Sequence, residues 1–169
     1  MPGRILVGHH DGVYVILFEG DVRLTLCTAV DEYMDKMFRD PGFRSVVVDL
    51  SRTESIDSTS LGLLAKLSIQ SQKRFNFRPT LVSTRRDITR VLVSMGFDDV
   101  FNIVEEPLEH TEQLGELPQV EADQEHVRQR VLDAHRVLMS MNDANREAFH
   151  DLVATLEAEP PAPPRRASL

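Results

Sequence analysis

Ser55-Ile56-Asp57-Ser58-Thr59-Ser60-Leu61-Gly62 holds four hydroxyls and one carboxylate within eight residues. Ser, Thr and Asp are the residue types that satisfy the free N–H groups of a first helical turn, so this composition is that of a helix N-cap. A serine nucleophile is the other chemistry such a segment offers, at Ser58 or Ser60. That reading lacks the flanking glycines of a nucleophile elbow and a histidine assignable as base, so a non-enzymatic protein is expected. Histidines 9, 10, 110, 126, 135 and 150 have no ligand spacing. His126 and His135, nine residues apart, fall on opposite sides of one helix, so neither metal nor cofactor is expected. The lone Cys27 excludes an intramolecular disulfide and reads as a small buried hydrophobe.

A chain of 169 residues can bury one real core and carry an appendage. A net charge of -8 argues against a phosphate-tracking nucleic-acid binder and against adsorption to anionic lipid, and favours a protein partner. No basic-then-apolar leader stands near the N-terminus, and no apolar run approaches the roughly 18 residues of a membrane span, so a cytoplasmic protein is expected. Residues 1–108 carry 13 Lys+Arg against 15 Asp+Glu, whereas residues 109–169 carry 6 against 12. This asymmetry places a boundary near Pro107: a domain over 1–107, an acidic helical extension over 108–159 and a disordered Pro-rich tail over 160–169.

The elements that position the hydroxyl cluster follow from periodicity. Ile5–Val7 and Val13–Phe18 are β-rich runs, and Asp11-Gly12 between them supplies the positive φ angles of a tight hairpin. Leu26, Val30, Tyr33, Met34 and Met37 have helical spacing within Leu24–Phe38, which Pro41-Gly42 ends. Phe43–Leu50, with Val46-Val47-Val48, reads as a central strand covered on both faces. Leu61, Leu64, Ala65, Ser68, Ile69 and Gln72 share one side of a helix over Thr59–Phe75. Thr80–Ser83 reads as a strand. Ile88, Val91, Leu92 and Met95 stripe a helix ending at Gly96, and Val100–Val104 is the last strand. The order β-β-α-β-α-β-α-β predicts an α/β fold, a mixed sheet with helices packed against it. Beyond Pro107, Val127, Val131, Ala134, Leu138 and Met141, then Phe149, Leu152, Val153 and Leu156, give a helical hairpin turning at Asn142-Asp143.

Asp57-Ser58-Thr59-Ser60-Leu61-Gly62 resembles the Asp-Ser-Ser/Thr-Gly-Leu-Gly signature of the STAS family, specifically its anti-sigma-factor antagonists. Three segments agree in order and spacing: Phe18-Glu19-Gly20-Asp21-Val22 at the end of the second strand, Val46–Leu50 in the centre, and Val91–Phe97 with Val100-Phe101 at the last helix and strand. The resemblance covers about residues 4 to 105. It implies a STAS-type fold and a partner switch. The unphosphorylated antagonist binds an anti-sigma factor or related kinase and frees a sigma factor, and phosphorylation reverses this. The implied acceptor is Ser58, with Thr59 as fallback, and the implied partner-binding residues are Asp21, Asp57, Ser58, Thr59, Ser60, Leu61, Gly62 and Leu63. The implied partners are an anti-sigma factor, a serine kinase and a phosphatase of the PP2C type. The C-terminal extension resembles the longer antagonists of Gram-negative bacteria, which are served by a receiver-linked module.

Phosphate would add about 1.5 to 2 negative charges at a helix N-terminus, whose N–H groups and dipole favour an anion. The fold should tolerate it, whereas a partner packed around the helix start faces a hydrated dianion. At about 100° per residue, Leu63 points almost opposite Leu61 and Ala65, with Leu67 nearby, so a leucine is expected on the outer face. Two departures bear on partner choice. Ser60 replaces the usual glycine, adding a side chain and a competing hydroxyl, and Arg23 stands where antagonists commonly carry aspartate. Arg165-Arg166-Ala167-Ser168-Leu169 looks like a basophilic kinase acceptor and is read as coincidental. A STAS sensor or scaffold module in a larger assembly is the alternative function.

Overall fold

A computed structural model of the chain describes residues 1–106 and 113–160. Strand β1 (Arg4–His10) turns into β2 (Val13–Val22) through Asp11 and Gly12, both at positive φ (51° and 80°). A Cβ on Gly12 would lie 1.9 Å from the Gly42 carbonyl oxygen, so this turn needs glycine for space as well as for backbone conformation. The Gly12 carbonyl accepts from Arg44 N at 2.8 Å and Ser45 N at 3.2 Å, which fixes the hairpin tip to the entry of β3 (Ser45–Ile56). Helix α1 (Cys27–Arg39), preceded by a short 3-10 turn at Leu24–Leu26, links β2 to β3. Helix α2 (Ser58–Phe75) leads to β4 (Thr80–Val82), and α3 (Arg86–Ser94) to β5 (Asn102–Val104).

The sheet order is β5-β4-β3-β2-β1-β6, with β2 to β5 parallel and β1 antiparallel to both neighbours, so the expected mixed sheet is observed. Alternate residues Tyr14, Ile16 and Phe18 of β2 and Val46, Val48 and Leu50 of β3 join Val30 and Met34 of α1, Leu61 and Leu64 of α2 and Leu92 of α3 in one core. Gly96 takes the expected left-handed conformation after α3 (φ 87°).

Three local expectations need correction. β3 runs on to Ile56 rather than ending at Leu50, because it stays paired with β2 across two register irregularities. Thr53 is buried there, its hydroxyl donating to the Phe18 carbonyl at 2.9 Å. A further strand, β6 (Gly115–Leu117), adds to β1 inside the stretch expected to be wholly helical. On α3 the inward residues are Ile88 and Leu92, and Val91 faces solvent. The expected boundary at residues 107 and 108 and His110 lie outside the described residues. So do residues 161–169 of the tail, with the terminal kinase-acceptor sequence.

The expected helical hairpin is present as α4 (Gln124–Met141) and α5 (Asp143–Ala158). Asp123 caps α4 through His126 N, and Asn142 caps α5 through Asn145 N, each at 2.8 Å. Leu132, Ala134, His135 and Leu138 of α4 are buried, and Leu138 belongs to the central core. On α5 Val153 is buried while Leu152, expected in the stripe, is exposed.

Candidate functional site

The strand-to-helix turn is built around the Asp57 carboxylate. Asp57 has extended backbone (φ -85°, ψ 167°) and its Oδ1 accepts from Ser60 N at 2.8 Å, the N-cap the composition implies. Its Oδ2 accepts from Leu24 N at 2.7 Å. One side chain therefore holds both the start of α2 and the turn before α1, and sets where Ser58 emerges.

The four hydroxyls of the segment have different surroundings. Ser55 Oγ donates to Asp21 Oδ1 at 2.7 Å, and the N-terminal amine lies 3.5 Å from Asp21 Oδ2. These contacts, the Ser55 hydroxyl first, hold the Asp21 carboxyl below its usual range. Asp21 thus sits beside Ser55 at the end of β2. Thr59 is buried, so the fallback acceptor is covered. Ser60 is also buried, its Oγ 3.5 Å from Cys27 Sγ, and the expected competing hydroxyl points into the fold. Ser58 remains part-buried, and its Oγ lies 2.8 Å from His135 Nε2. His135 Nδ1 is 2.7 Å from the Val131 carbonyl, which can only accept, so in the neutral ring Nδ1 carries the proton and Nε2 accepts from the Ser58 hydroxyl.

A family model for the STAS domain matches residues 4–113. This chain belongs to the STAS domain family. An anti-sigma factor antagonist from Mycobacterium paratuberculosis has a similar crystal structure, with TM-score 0.54 and 24% identity over 66% of this chain and 92% of that one. Protein TM1081, solved by NMR, gives TM-score 0.52 and 23% identity over 59% and 78%. The anti-sigma factor antagonist SpoIIAA in its unphosphorylated form gives TM-score 0.50 and 13% identity over 60% and 86%. At these identities the likeness is one of fold. No curated protein matches the chain in sequence.

Helices α4 and α5 lie beyond the matched STAS domain, and they alter its α2 face. The expected outward leucine is not found, since Leu63 is only 5% exposed and Leu67 0%. Leu63 belongs to the core cluster, and α4 packs on α2 at the neighbouring Gly62. A Cβ on Gly62 would meet the Ala134 carbonyl oxygen at 2.3 Å, so the two helices touch backbone to backbone at this glycine. Leu61 points inward into the core, as expected. Arg130 of α4 reaches α1, donating to Thr28 Oγ1 at 3.0 Å and Asp31 Oδ2 at 3.2 Å, and Lys66 of α2 pairs with the same Asp31 at 3.0 Å. His135 is the functional-site residue that sequence reasoning missed. The stripe of Val127, Val131, Ala134, Leu138 and Met141 leaves His135 out, and nothing in the sequence points to its partner 77 residues away.

Cys27 of the STAS domain is buried, and burial pushes its thiol up to about 11, outweighing the Ser60 hydrogen bond. The native protein should therefore be inert to a disulfide reagent at neutral pH and react with one equivalent only on unfolding. Stoichiometric labelling under native conditions would contradict this placement.

Proposed function

We propose that this STAS protein is a cytoplasmic anti-sigma-factor antagonist, a non-enzymatic partner switch set by phosphorylation of Ser58. The observation that carries the proposal is the position of the Ser58 hydroxyl. It is part-buried rather than sealed, at the first position of an 18-residue helix directly after the capping Asp57. A phosphate at that point lies where helix N–H groups and dipole favour an anion, so the start of α2 accommodates it once the Ser58 side chain leaves His135. An anti-sigma factor seated on the same turn faces a hydrated dianion, and a mismatch of about 3 kcal/mol weakens binding roughly 100-fold. A serine kinase and a PP2C-type phosphatase write and erase this mark. The buried Thr59 and inward Ser60 leave Ser58 as the favoured acceptor.

The Ser58–His135 pair invites a second reading, a nucleophile with its base. Three features weigh against it. His135 is 2% exposed, its ring packs edge-on to Phe149 at 5.0 Å, and its Nδ1 is tied to a backbone carbonyl rather than to an orienting carboxylate. We therefore assign the pair to structure and regulation.

The test is intact-mass measurement after incubation with ATP and the cognate kinase, with pull-downs by wild-type, Ser58→Ala and Ser58→Asp chains. One added phosphate, lost in Ser58→Ala, and an anti-sigma factor retained by Ser58→Ala but not by Ser58→Asp are the expected results. Full labelling of Ser58→Ala, or identical captured proteins, would refute the switch.

A further inference from the structure

The α2 face that the proposed switch would offer to a partner already has an occupant. Arg130, Ala134 and Leu138 recur every four residues and so share one face of α4, with Val131 and His135 beside them. Ala134 lies on Gly62, His135 accepts from Ser58, and Arg130 is bonded to Thr28 and Asp31 of α1. At the far end, Asn142 and Asn145 donate to the Met95 carbonyl at 3.2 and 2.8 Å, fixing the α4–α5 turn to the end of α3. The hairpin thus covers α2 from Ser58 to Gly62 and takes up the hydrogen bond of its one part-exposed helix hydroxyl. Between β6 and α4, residues 118–123 have no regular structure and are mostly exposed, so the hairpin is joined to the sheet by a segment without ladder bonds.

We infer that α4 is an intramolecular cover on the partner-docking face of α2, latched by the Ser58–His135 hydrogen bond. It must swing away before an anti-sigma factor or kinase can engage Ser58. The inference rests on the α2 face being the docking surface. The apparent affinity for the partner is then the intrinsic affinity reduced by the open fraction. A phosphate on Ser58 cannot occupy the 2.8 Å gap to Nε2 unless the side chain or α4 moves, so the modification and the cover compete for the same space.

Gly62→Ala loosens the cover from the α2 side, and His135→Ala, which leaves the docking face unaltered, loosens it from the α4 side. Within α2 alanine is the better helix former, but its methyl would sit inside the Ala134 backbone. The experiment compares full-length wild type and Gly62→Ala by amide hydrogen exchange without partner, and by affinity for the purified anti-sigma factor. Expected is exchange of the α4 amides about 10- to 100-fold faster, with β3 unchanged, and partner affinity raised by a similar factor. His135→Ala, which removes the latch without touching α2, should act in the same direction. Opened α4 amides with unchanged affinity in His135→Ala, whose α2 face is native, would overturn the cover while leaving the Ser58 switch standing. Unchanged α4 exchange in both variants would overturn it as well. An opened variant and wild type that both fail to bind any anti-sigma factor would bring down the docking assignment and the cover together.

Discussion

Leu138→Ala should cost about 2–5 kcal/mol, the usual range for removing a fully buried leucine. Leu138 is 0% exposed and is the α4 residue that enters the central core beneath the helices. The loss has a ceiling, however. Once α4 undocks, a side chain on α4 can destabilise the closed state no further, and the sheet keeps its own core of Ile16, Phe18, Val48 and Leu64. The effect should therefore divide in hydrogen exchange, with α4 and α5 amides losing protection while β2 and β3 amides keep most of theirs. Leu138→Met, which conserves volume, should cost under about 1.5 kcal/mol. Wild-type protection throughout α4 in Leu138→Ala would mean that the hairpin is not held by this contact.

Asp57→Ala should lower stability by roughly 2–3 kcal/mol, since it removes an N-cap and a second charge-assisted hydrogen bond at once. Asp57→Asn separates the two. Its carbonyl can still cap Ser60 N, but the amide then presents N–H to Leu24 N, donor against donor. Asparagine should cost about 1–2 kcal/mol, felt mainly at the 24–26 turn rather than in α2. Chemical denaturation of both variants checks the order, and equal stabilities for wild type and Asp57→Ala would show that the carboxylate holds nothing.

Those features of the fold that depend on neighbours in sequence were legible there. Asp11-Gly12 specified a turn with positive φ, the Val46–Val48 run a strand, though with Val47 only half-buried, and Gly96 a left-handed cap, because each is set by local backbone chemistry. The second half of β3 was hidden because Ser51-Arg52-Thr53-Glu54-Ser55 is polar, and its pairing with β2 supplies what periodicity does not. β6 is three residues long, too short for any period, and exists because β1 offers an open edge. At the site, Asp57 and Ser58 were legible because capping is local. The fates of Leu63, Thr59, Ser60 and His135 were not, since a helical wheel describes one helix against one surface. Leu63 is buried in the core cluster on the stretch of α2 where α4 packs. Ser60 turns into the fold because Cys27 stands across from it.

The affinity of the purified anti-sigma factor for the full-length chain, measured by titration calorimetry before and after stoichiometric phosphorylation of Ser58, bears most directly on the switch. Binding weakened by about 100-fold or more is the predicted result. The same dissociation constant for the two forms, with intact mass confirming one phosphate on the second, would contradict it.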